Sequence, residues 1–238
     1  MTHIKTVEAF SRLIGFCTGF GDKYDPGNQN LQLTMLTSQL EETRQAIEHI
    51  KVAKSNYDNE VNYRMQVFNG LPRLASSILR TLEACRATPE KLADARLFFH
   101  KISGANHKHR KPIASEEALS PTPRSVLQLA YVSRTDSFAQ LVEAVNTELS
   151  YKAKEPTLSK AGIIRKVTEL KKLNESVFEA RMNWSYALIK RNQLMYSKES
   201  SSLYETGRAV KKYVRAVFGH DSAEYRQIRN LPITKPYR

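Results

Sequence analysis

Two cysteines in 238 residues, Cys17 and Cys85, make neither a C-x-x-C pair nor a disulfide framework. Both read as small core residues of a reducing compartment. Nine glycines and nine prolines are too few for a turn-rich chain, and the long Glu, Lys, Leu and Ala-rich segments run without breakers. The expected fold class is therefore all-α. No apolar run approaches the ~18 residues that span a bilayer. Glu8 and Arg12 interrupt the N-terminal stripe before a signal-peptide core can form, so a cytoplasmic protein is expected. There is also no Walker-type or dinucleotide glycine loop, no His-Glu-x-x-His, no Glu-x-x-His pair and no nucleophile elbow. The expectation is a protein that is not an enzyme, with no catalytic residue, cofactor, metal or small-molecule substrate indicated.

Acidic residues are the other shortage, 24 against 37 Lys and Arg, for a net charge of +13. About +10 of this lies between Lys160 and Arg238, which holds 17 basic and 7 acidic residues. Such a balance suits an acidic partner. The 41% hydrophobic content is enough for a real core.

Val7, Phe10, Leu13, Ile14 and Cys17 recur at three and four residues and predict an opening helix, ended by the Asp25-Pro26-Gly27-Asn28 turn. From Leu31 to Asn69 there is neither Gly nor Pro, which predicts one helix about 60 Å long. After Asn69-Gly70, Pro72 opens a helix on Leu71, Leu74, Ile78, Leu82 and Cys85. Thr88 then caps another on Leu92, Ala95, Phe98, Phe99 and Ile102. Residues 103–123 are polar, Pro-dotted and aperiodic, a linker or long loop. Asp136 or Ser137 is placed to cap a helix bearing Phe138, Leu141, Val142, Val145 and Leu149. A second very long helix from about Ile163, a Ser-rich break, a medium helix and a capped short helix complete the chain.

The two halves echo each other. Phe10-Ser-Arg-Leu13-Ile14 resembles Phe138-Ala-Gln-Leu141-Val142, and an offset of 127 pairs Leu36 with Ile163, Tyr57 with Trp184, Arg64 with Arg191 and Phe68 with Met195. The expected architecture is an internally duplicated antiparallel helical bundle with two very long helices. Its divisions are residues 1–102, the linker 103–123, and residues 124–238.

Arg191-Asn192 with Tyr196, "VKKYVRAVFGHDSAEYRQI" and "LPITKPYR" resemble the C-terminal signature of a family of uncharacterised bacterial helical proteins. That resemblance implies a fold and brings no activity or ligand.

Arg208, Lys211, Lys212 and Arg215 fall at i, i+3, i+4 and i+7, one basic stripe opposite Leu203, Val210, Val214 and Val217. This is the candidate face for an anionic partner. Read blandly it is a solvated face or a protein-contact surface; read sharply, with Tyr204 and Tyr213 nearby, it tracks a phosphate backbone. An anionic membrane surface is a further, weaker reading. Gly219, Asp221, Ser222 and Glu224 read as a helix stop followed by a capped start, which leaves His220 beside Asp221 without a nucleophile. His107 and His109 lack partners at metal-ligand spacing. Trp184 reads as core, and Arg64 and Arg191 as making a bond across the bundle. The function expected is a structural or protein-interaction role, self-association included; the alternative is a nucleic-acid-binding module using the basic stripe.

Overall fold

The computed structural model describes residues 2–104, 123–198 and 202–235. Among them are eight α-helices and no strand: α1 (Thr2–Gly19), α2 (Leu33–Asn69), α3 (Leu71–Ala84), α4 (Pro89–Ser103), α5 (Pro123–Asn146), α6 (Lys160–Tyr196), α7 (Leu203–Phe218) and α8 (Ala223–Arg229). No helix of the described residues is long and apolar enough to cross a membrane.

The long helices form where breakers are absent. Each has 37 residues, about 56 Å at 1.5 Å per residue. α4 and α8 start where a side-chain cap satisfies an orphan N–H group. Thr88 Oγ1 accepts from the Lys91 N–H at 3.5 Å and Ser222 Oγ from the Tyr225 N–H at 3.1 Å. One expected cap is absent. α5 runs unbroken through Asp136 and Ser137 because the hydroxyls turn back along the helix: Thr135 donates to the Tyr131 carbonyl at 3.0 Å and Ser137 to that of Ser133 at 2.9 Å. A Ser or Thr that bonds four residues back stays inside a helix.

The chain divides into two compact units, residues 1–55 with 181–238 and residues 56–180. These cuts fall inside α2 and α6, whereas the sequence places its boundary at 103–123, of which residues 105–122 lie outside the described residues.

In the first unit α1, α7 and α8 contact one another around a core that includes Phe10, Leu13, Leu36, Met195, Val210 and Val214, all fully buried. The chain end closes this core. Lys211 Nζ donates to the carbonyls of Arg229 (3.2 Å) and Leu231 (2.7 Å), and Thr6 Oγ1 donates to that of Thr234 (3.2 Å). Ile233 is thereby pressed onto α7 at Gly207, where a Cβ would stand 2.7 Å from Ile233 Cδ1. Glycine is what lets the strap lie this close.

In the second unit the mutual contacts are those of α3, α4 and α5, around Phe68, Leu71, Ile78, Leu82, Phe138 and Ile163. Arg64 of α2 is buried there at 4% exposure. Its guanidinium carbon lies 4.2 Å from the centre of the Tyr131 ring, and Nη1 donates to Asn174 Oδ1 at 3.4 Å. Nε has no partner. The expected bond from Arg64 thus goes to α6, whereas Arg191 bonds to its own neighbour Asn192. Trp184 is partly buried under Lys54 Nζ (5.3 Å from the ring centre) and is not part of either core cluster.

Candidate functional site

The four cations of the α7 stripe share a helix face and little else. Ser202 caps α7 and Leu203, Thr206, Gly207, Val210 and Val214 are buried, so the positions between them face outward. Val217, expected among the buried positions, is 52% exposed at the helix end. Arg208 lies 3.8 Å from Glu205 and over the Tyr204 ring. Lys211 is half-buried, and that burial lowers its pKa; its ammonium clips the chain end, as above. Lys212 and Arg215 are exposed and take part in no ion pair among the described residues.

The aromatic rings beside the stripe are occupied as well. Tyr213 donates to the Asp25 carbonyl at 2.8 Å and stands edge-on to Tyr24. Tyr204 lies under Lys235 Nζ, 4.4 Å from the ring centre. Stripe and rings therefore offer two open cations and no ring free for stacking a base.

The corner after α7 behaves as a cap. Gly219 has φ 93 and ψ 159, a conformation open only to glycine. Glu224 falls at the second helical position of α8, one short of where a capping box puts its carboxylate. His220 Nδ1 and Asp221 Oδ1 are 3.1 Å apart, and the histidine hydrogen bond lowers the Asp221 pKa, but Asp221 is 92% exposed. An open surface pair has none of the desolvation that tunes catalytic groups. The Cys17 thiol is buried and pushed up to about 12, so it stays protonated. Among the described residues no three His, Cys, Asp or Glu side chains gather as a metal site; His107 and His109 lie outside them.

Sequence patterning did not single out a groove at the end of α6. Ile189, Asn192, Gln193, Tyr196 and Lys198 line it together with Lys235 of the strap, around about 740 Å³. Arg191 donates twice to Asn192 Oδ1, from Nε at 3.1 Å and Nη2 at 2.7 Å. That fixes the amide and leaves its NH₂ as the outward group. Tyr196 OH pairs with His3 Nδ1 at 2.8 Å. Burial raises the Tyr196 pKa and lowers those of His3 and Arg191, the Arg191 charge adding to the effect on His3. His3 is accordingly neutral near pH 7. Lys235 is held by Glu205 at 3.2 Å, while Lys198 is exposed and has no ion pair among the described residues. Arg191, Asn192 and Tyr196 are legible in the sequence as a cluster; that Lys235 returns to meet them is not. Comparison with protein-family models, with curated proteins and with solved structures finds no match to this chain.

Proposed function

We propose that this chain is a non-catalytic helical protein with a structural or protein-interaction role. One observation carries the proposal. α6 holds Tyr186 (60% exposed) and Ile189 (49%) three residues apart, hence on one face, beside exposed Lys190. An aromatic and a branched aliphatic side by side in water form the kind of patch a partner covers. Light scattering of the full chain at high concentration, with affinity capture from its native cell, tests this. The expected result is a self-associated species or a retained partner, weakened about tenfold by Tyr186→Ser. A strict monomer that retains nothing overturns it.

Lys212 and Arg215 keep the nucleic-acid reading as a second proposal, in a reduced form. With two phosphates neutralised rather than four, log K should fall with log salt at a slope of about −2, not about −4.

The proposal includes an internally duplicated chain folded as antiparallel bundles. Several observations support duplication. α2 and α6 start and end at the same offset of 127 residues. Tyr24 OH donates to the Leu31 carbonyl and Tyr151 OH to the Leu158 carbonyl, both at 2.8 Å and both at that offset. Each tyrosine is buried, which raises its pKa, that of Tyr151 to about 12. If these are one latch inherited twice, Tyr24→Phe and Tyr151→Phe should each cost about 1–2 kcal/mol, by leaving a carbonyl short of its donor. Urea unfolding checks it; one costly and one silent substitution would count against a shared role.

A further inference from the structure

We infer that the groove at the end of α6 binds a short acidic peptide segment of a partner protein; this rests on the interaction role proposed above and names its site and ligand.

The groove is rich in donors. Asn192 presents its NH₂ because Arg191 holds the amide oxygen, Gln193 adds a second amide, and Lys198 projects an ammonium with no ion pair among the described residues. Lys235 contributes a second ammonium already fixed over Tyr204 and against Glu205. Because Asn192 and Lys235 are held before anything binds, these two donors need little ordering on association.

Three features choose a peptide over other anions. The first is charge: one ammonium with no ion pair among the described residues and one shared with Glu205 match one or two carboxylates and fall short of the several cations that a nucleic-acid backbone requires. The second is the helix end itself. The last-turn carbonyls of α6 carry the negative end of the helix dipole and lack intrahelical partners, that of Gln193 being reached by the Ser197 N–H just past the helix at 3.2 Å. That arrangement disfavours a bare anion and suits a ligand with its own N–H donors. The third is Ile189, an exposed aliphatic wall that takes an apolar side chain. About 740 Å³ is within the 300–1,000 Å³ range of ligand pockets.

The experiment selects a displayed library of random short peptides on the full-length protein, in parallel with Lys198→Glu and with Asn192→Leu. Fluorescence anisotropy of the winning peptide follows, with a single-stranded oligonucleotide as competitor. The expected winners combine acidic residues with an aliphatic or aromatic one. Affinity should fall about tenfold in Asn192→Leu, the Lys198→Glu protein should select basic peptides instead, and a Lys212→Glu, Arg215→Glu protein should bind as the parent does. The inference is overturned if the parent and Lys198→Glu proteins select the same peptides, if the α7 substitutions abolish binding, or if the oligonucleotide displaces the peptide at equal concentration. Loss of the Tyr186-dependent partner with peptide binding intact removes the wider reading alone; the reverse pattern removes the groove alone.

Discussion

Gly162→Ala should destabilise the protein by about 3 kcal/mol, although alanine is the better helix former by about 1 kcal/mol. Gly162 is the third residue of α6, and a Cβ there would run into the Pro156 carbonyl oxygen, with the Ser159 hydroxyl 3.1 Å away. The chief obstacle is backbone, which cannot swing aside as a side-chain tip can. Pro156 also belongs to a closed hydrogen-bonded turn: Ser159 N–H donates to the Glu155 carbonyl at 2.8 Å, and Ser159 Oγ donates to that of Pro156 at 3.1 Å. Relief therefore means starting α6 later. That dislodges Ile163, which is fully buried, and the Leu158 carbonyl that Tyr151 holds. Gly15 supplies the contrast. It sits inside α1, and a Cβ added there would meet nothing within 4 Å, so Gly15→Ala should gain up to about 1 kcal/mol from propensity alone. Denaturant midpoints at constant m separate the two. Equal effects of the two substitutions would show that the Pro156 contact does not set the sign.

The all-helical fold was legible because the signals for it are local. The long run expected over Leu31–Asn69 is α2, Leu33–Asn69, since helix continues wherever no Gly or Pro stops it. Thr88 and Ser222 cap as their positions suggest. Asp136 and Ser137 misled, because the same serine hydroxyl that caps a helix start can bond back to the fourth preceding carbonyl within one. The compact units were not legible: their limits at 55/56 and 180/181 fall in uninterrupted helix, where no shift in composition marks them. On α7 the spacing of Arg208, Lys211, Lys212 and Arg215 implies a shared face. Spacing cannot say that Lys211 is turned to carbonyls 18 and 20 residues ahead of it. The groove is hidden for the same reason, since Lys235 reaches it only by the path of the strap. The bond from Tyr24 to the Leu31 carbonyl, and the like bond from Tyr151 to that of Leu158, are present in the sequence as Tyr-x₆-Leu 127 residues apart, but apolar periodicity does not weigh a hydroxyl.

Arg134→Met should cost about 2–4 kcal/mol, and the reason lies in two helix ends. Arg134 Nε donates to the Ile102 carbonyl at 3.1 Å and Nη2 to the Phe68 carbonyl at 3.3 Å. These carbonyls are one residue from the ends of α4 and α2, among the groups that a helix leaves without a partner. The guanidinium is partly buried, which lowers its pKa, and no carboxylate pairs with it among the described residues. Two helix dipoles are its counter-charge, and hydrogen bonds to a charged donor contribute about 1.5–3 kcal/mol each. Arg134→Lys keeps the charge but presents no fork, so it should recover about half of the loss. Arg64→Met is the comparison that isolates capping. Arg64 is the more deeply buried cation, yet besides its place over the Tyr131 ring it makes one long bond to Asn174 and leaves Nε without a hydrogen-bond partner among the described residues, so an apolar chain of similar length should cost about 1 kcal/mol or less. If burial of charge governed both sites, the two methionine variants would unfold at similar urea concentrations. If helix-end capping governs, only Arg134→Met falls markedly. Thr6 donates to the Thr234 carbonyl across the strap in the first unit, where a short hydroxyl suffices because the chain passes alongside. The second unit has to reach two helix ends from one position, and only a long, forked, permanently charged side chain does that.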